Sequence, residues 1–260
     1  MKPLSLCVAA ALGVAAVASA YAADSNKTVV TVDYTDTVAP PEAQAYVAGV
    51  KAYNQCLREH GVKFSEYAVN RETGGNTYVF SYDAGPYTWA DHDALIAASK
   101  PCDATFRAQV NPHLKSESGA FYVMQPDMSH MPDDSGNQTP PPLYHIVNFT
   151  LNPGRAADEA FTNAVKKITA AAAKTHWTWY YETDAVEGGG DGAPDYVLVI
   201  GLKNYAQHGL QANPPLWTMM ASVYGQANAD AIHTALDGAV KSSSDHFDRY
   251  NADLSYIAGK

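Results

Sequence analysis

Asp33, Glu66 and Glu182 are the acids whose settings in the sequence suit proton transfer. In VTVDYT, Asp33 alternates with Val30, Val32 and Tyr34, so a strand that turns its apolar side to a core points Asp33 the other way. Glu66 follows the helix-closing pair His60-Gly61, and Glu182 ends the aromatic run HWTWYYE. A carboxyl taken out of water acquires a raised pKa and serves as a general acid or base near neutrality, whereas a solvated carboxylate on a strand edge does neither. In the aromatic run, Trp177, Trp179 and Tyr181 share one side of an expected strand. With Asn148 on a second alternating strand, HIVNFT, they form either a wall for a planar or apolar ligand or the filling of a core.

Soft-metal ligands gather in VMQPDMSHM, where Met124, Met128, His130 and Met131 lie close, a composition that suits copper. Met128 also reads as a core position, which argues for packing. His60 and His176 recur at expected helix ends, where an imidazolium complements the helix dipole. HExxH and clustered Cys/His spacing are absent, as is a GxSxG elbow. The glycines of EGGGDGAP precede a strand rather than a helix, so they read as a hairpin connection and not as a dinucleotide loop.

The elements that must position these residues come from a chain of 260 residues, 47% hydrophobic and 17% charged, with a net charge of −10. That balance lacks the basic footprint of a nucleic-acid binder. Residues 1–22 read as a secretory signal peptide: Lys2, a short apolar run, then small-residue sites around Ala20 and Ala22. The expectation is a periplasmic or secreted protein with no membrane anchor. Cys7 leaves with the signal, and Cys56 and Cys102 remain, a disulfide in an oxidising compartment or else two buried thiols.

The chain also repeats itself. VTVDYT lies over HIVNFT at an offset of 115, and Tyr46, Val50 and Tyr53 meet Phe161, Val165 and Ile168 at helical spacing. At 116, His60 meets His176 and Glu66 meets Glu182; at 126, LKSESGAFYVMQPDMS lies over VKSSSDHFDRYNADLS. Each copy reads as strand, helix, strand, strand, helix, strand. The first copy has elements at 28–35, 41–60, 62–70, 76–82, 91–115 and 119–126, the second at 143–151, 156–175, 177–184, 194–201, 213–244 and 247–257. The expected division is signal peptide 1–22, first repeat 23–129, proline-rich linker 130–142 and second repeat 143–260.

This predicts an α+β fold: two ferredoxin-like βαββαβ repeats whose antiparallel sheets pack face to face as an intramolecular α+β barrel. In that element order, and in YHIVNFTLNPGRAADEAF, the chain resembles the dimeric α+β barrel superfamily of antibiotic-biosynthesis-monooxygenase-like and NIPSNAP-like domains. The residues themselves favour a non-catalytic, monomeric exported protein that binds a small apolar or aromatic molecule, or a protein partner, between the sheets. The resemblance implies the alternative, a monooxygenase-like enzyme acting on an aromatic substrate without a cofactor or with haem. No cofactor is expected from the residues, and haem or copper stands only as the lesser alternative.

Overall fold

The structure, a computed structural model, describes residues 28–132, 139–210 and 212–259. The signal segment expected at 1–22 and the middle of the linker lie outside the described residues. Eight strands form one closed antiparallel barrel. They are β1 (Val30–Val38), β2 (Glu66–Arg71), β3 (Val79–Tyr87), β4 (Leu114–Met124), β5 (Leu143–Leu151), β6 (Glu182–Glu187), β7 (Tyr196–Leu202) and β8 (Val240–Tyr250). Their order around the barrel is β1-β3-β2-β8-β5-β7-β6-β4, with β4 returning to β1. The run β4-β1-β3-β2 and the run β8-β5-β7-β6 therefore face each other and also bond along both edges, β2 to β8 and β4 to β6. Closure leaves no strand edge open to another chain.

Helices cover the outside. α1 (Ala43–Glu59) follows the 3-10 turn at Pro40–Glu42 and buries Tyr46, Val50 and Leu57 on one stripe against the first run. Gly61, at φ 63°, turns the chain out of it. α2 (Trp89–Ser99) opens on a capping box, the Thr88 hydroxyl accepting from the Asp91 amide while the Asp91 carboxylate accepts from that of Thr88. Pro101 separates it from α3 (Asp103–Gln109). Over the second run, α4 (Arg155–Thr175) buries Phe161, Ala164, Val165 and Ile168, followed by α5 (Tyr205–Gly209), α6 (Leu216–Tyr224) and α7 (Gln226–Ala239).

Several bounds shift from the expected ones, the last strand ending at Tyr250 rather than 257 and the helix expected at 91–115 ending at Gln109, and three differences are larger. The long helix expected at 213–244 is two helices broken at Gly225, whose φ of 80° suits glycine alone, and it has ended by Ala239. The serine-rich windows beginning at Lys115 and Lys241 are accordingly strand, so β4 and β8 start earlier than 119 and 247. The aromatic run is not a strand until Glu182: the Trp177 amide donates back to Ala172 O, finishing α4, and its indole donates to Pro214 O at 2.8 Å.

Beyond each final strand the chain crosses to the other half. Leu254 joins Tyr46 and Val50 in the first half's core, and the Tyr256 phenol donates to Val62 O at 2.6 Å. Reciprocally, Met128 packs on Phe161 and Val165 in the second half. A cut at the linker would strip a core residue from each half. No described helix is long and apolar enough to cross a membrane.

Candidate functional site

Strand alternation gives the barrel wall two unlike faces. Val32 packs with Leu57 of α1, and Val38 with Tyr46 and Val50, so Thr31, Asp33 and Thr35 turn inward. Directly across from Asp33 is Asp83 of β3. On the opposite run, Glu182 and Asp184 sit in register with Val199 and Val197, which pair in turn with Ile146 and Asn148 of the inward row. Asp248 completes the acidic lining. It accepts from Arg71 Nε at 2.8 Å and lies 3.1 Å from His246 Nε2.

Burial raises Asp33 to about 6, and the Thr35 hydroxyl, 2.8 Å from its carboxylate, holds it from rising further. Burial, and then the neighbouring Asp33 charge, push Asp83 well up. Burial raises Glu182 against the pull of a hydrogen bond with Asp184, and burial and then the Glu182 charge push Asp184 well up. Two carboxyls pressed together out of water favour holding a proton between them.

The outward row of the first run meets the helices without filling the space beneath them. A cavity of about 310 Å³ remains between the sheet's outer face and α1, α2 and α3. Tyr34 and Asp36 of β1, Glu66 of β2 and Tyr82 of β3 form its floor. Tyr53 and Asn54 of α1, Ile96 of α2 and Phe106 of α3 roof it, and Arg107, Asp103 and Glu117 stand at its margin. The Cys56–Cys102 disulfide ties α1 to the turn that opens α3, and so holds two walls of the cavity together.

Asp36 is the unusual member, an acid on the helix-facing side of β1 and only 3% exposed. Its Oδ2 accepts from the Tyr46 hydroxyl at 2.6 Å, and that hydroxyl lies 2.8 Å from Tyr82's. Its Oδ1 is buried with no hydrogen-bond partner. Burial raises Asp36 to about 7 against the pull of the Tyr46 hydrogen bond, and burial alone raises Glu66 to about 7.

The residues singled out in the sequence thus separate into three places. Glu66 lines the cavity, while Asp33, Glu182 and Asn148 belong to the barrel interior. Glu66 and Glu182 are not equivalents: Glu66 pairs with Ala84, which packs on α1, so it faces outward. The offset that matched the two acids is one residue out, and a slip of one reverses every side chain. Trp177 and Tyr181 are buried with Met219 and Met220 in the second half's core, Trp179 packs against that core, and none of the three lines the cavity.

The methionine–histidine run is likewise dispersed. Met124 stands on the barrel wall opposite Asp184, Met128 is core, and His130 Nε2 lies 2.7 Å from Trp177 O. Met131 is part-buried beyond them. Cys56, Cys102 and His60 bring ligand atoms within 4.8 Å of one another, but both sulfurs are spent in the disulfide. Haem does not fit the cavity's residues: its one lining histidine, His92, keeps Nε2 on Val30 O at 3.2 Å, and acids rather than cations form the floor. Sequence reasoning missed Asp36, Tyr34, Tyr53 and Tyr82. The available signal was Asp36 itself, in phase with Val32, Tyr34 and Val38.

Neither a family model nor a curated protein matches the chain. Solved structures do. A candidate monooxygenase from Lactobacillus acidophilus NCFM aligns with 90% of this chain and 98% of its own, at 12% identity and a TM-score of 0.53. A mutant chlorite dismutase from Candidatus Nitrospira defluvii covers 88% and 93%, at 11% identity and 0.51. An anthrone oxidase-like protein covers 90% and 94%, at 9% identity and 0.50. These likenesses show that the closed eight-stranded barrel with its outer helices is a fold shared with these proteins.

Proposed function

We propose that this is an exported protein, two ferredoxin-like repeats closed into a barrel within one chain, that binds a small and largely apolar or aromatic molecule. The binding place in this reading is the cavity under α1, α2 and α3 rather than the space between the sheets. The observation that carries it is the cavity's make-up: about 310 Å³, floored and roofed by aromatic rings with a few convergent polar groups. Small-ligand sites have this character and run from roughly 300 to 1,000 Å³. Charge agrees, since a net −10 disfavours polyanionic partners.

The test is calorimetry and native mass spectrometry with a panel of one-ring aromatic compounds. Ser99→Phe, which pushes a ring into the cavity from α2, is expected to abolish binding. Trp177→Ala is expected to lower stability by about 3–5 kcal/mol, the cost of truncating a buried aromatic, and to leave affinity unchanged. Loss of binding in Trp177→Ala with full retention in Ser99→Phe would reverse the assignment.

A second reading, an enzyme that removes a proton from a bound aromatic substrate, draws on Glu66. A carboxyl raised to about 7 in an aromatic cavity is matched to base catalysis at neutral pH. The names of two of the neighbours lend that reading an oxidative reaction class. Oxygen uptake with a phenolic substrate, lost in Glu66→Gln while binding persists, would support it; no uptake with any ligand that binds would remove it.

A further inference from the structure

We propose that the ligand's head is a protonated amine, carried on a short apolar stem: the cavity is a site for a small organic ammonium ion. The inference rests on the cavity being the binding place and adds its chemistry. Asp36 sits on the floor, only 3% exposed, with one carboxylate oxygen bonded to Tyr46 and the other buried without a partner. A buried oxygen without a donor is costly, and the native fold offers it none. No hydrogen bond to the Glu66 carboxylate is found among the described residues, and it shares the same floor.

The surrounding charge is predominantly negative. Asp36 and Glu66 lie on the floor, while at the exposed margin Asp103 and Glu117 outnumber Arg107, the only lysine or arginine in the lining. His92 is engaged with Val30 O. A neutral ligand would leave the carboxylates of the floor uncompensated, and an anion would add to them. An ammonium group supplies the missing charge beside Asp36 and Glu66, and charge-assisted hydrogen bonds are the strong kind.

The walls suit a cation as well. Tyr34, Tyr53, Tyr82 and Phe106 surround the space with aromatic side chains, and the face of an aromatic ring attracts a cation, most of all where water is thinned out. The same rings accept a stem of a few carbons or one ring. Tyr34 and Ile96, 39% and 62% exposed, mark the way in.

Three probes on one phenylethyl stem separate the alternatives at pH 8: 2-phenylethylamine, 2-phenylethanol and 3-phenylpropionate. The amine is expected to bind at least tenfold tighter than the alcohol, and the carboxylate weakest. Asp36→Asn keeps the Tyr46 contact and is expected to erase the amine's advantage while the alcohol still binds. Should that variant fail to fold, Glu66→Gln, checked by circular dichroism, is expected to cut the advantage severalfold. Equal binding of amine and alcohol, or an amine preference untouched by both substitutions, overturns the ammonium inference and leaves the cavity reading standing. Binding of none of the three overturns both.

Discussion

Glu66 offers a measurement in which the cavity's electrostatics appear as stability. Its carboxyl rises from 4.5 to about 7 because burial disfavours the charged form. The folded chain therefore binds this proton more tightly than the unfolded chain, so the group adds no penalty below about pH 4.5. Between 4.5 and 7 the unfolded state ionises first and the native state loses ground; above 7 the loss is complete. At 1.36 kcal/mol per pH unit the full penalty is about 3 kcal/mol. Glu66→Gln removes the charge and keeps the shape, giving back that amount less about 1 kcal/mol for an amide left unpaired. Urea unfolding at pH 4, 6 and 8 is the assay. The variant is expected to be slightly less stable than wild type at pH 4 and about 2 kcal/mol more stable at pH 8, a rise in Tm of roughly 4–8 °C for a chain of this size. A difference that does not change with pH, or a variant less stable at pH 8 than at pH 4 relative to wild type, would refute the claim that Glu66 is held out of water.

Gly49 packs against the end of α3, where a Cβ would come within 1.9 Å of Gln109 O. Gly49→Ala must part α1 from α3, which is expected to cost about 1–3 kcal/mol in chemical unfolding and to weaken ligand binding in the same protein. Cys56 and Cys102 close a loop of 46 residues, so reduction, or serine at both positions, is expected to lower stability by about 4 kcal/mol in the chain-entropy account. Coincident unfolding curves with and without reductant would contradict that.

Much of the architecture was legible because it rests on local periodicity. The stripe of Tyr46, Val50 and Tyr53 specifies a helix with one face turned to a core, and the alternation around Asp33 specifies a strand with two unlike faces. Where local pattern was ambiguous it misled. HWTWYYE has the aromatic content of a strand, yet Trp177 ends a helix and anchors to Pro214 O. The serine-rich windows at Lys115 and Lys241 carry no apolar rhythm, so nothing marked them as the strands they are. Their first residues are exposed at the barrel's end, where pairing alone holds them.

By itself the sequence determined the order of elements, the single cysteine pair in the chain beyond Cys7, and which acids lie on strands. Only the tertiary structure decided which side of the wall each acid faces. A slip of one residue sends a side chain either into the barrel or under the helices, and no composition or spacing registers that difference. Glu66 and Glu182 look alike in sequence and fall on opposite faces, one beneath the helices beside Asp36, the other beside Asp184. The cavity too is a property of packing: the helices over the first run stop short of the sheet, and the second half fills its core with Trp177, Met219 and Met220. Whether space remains depends on how side chains from segments distant in sequence meet, which is set only when the chain has closed.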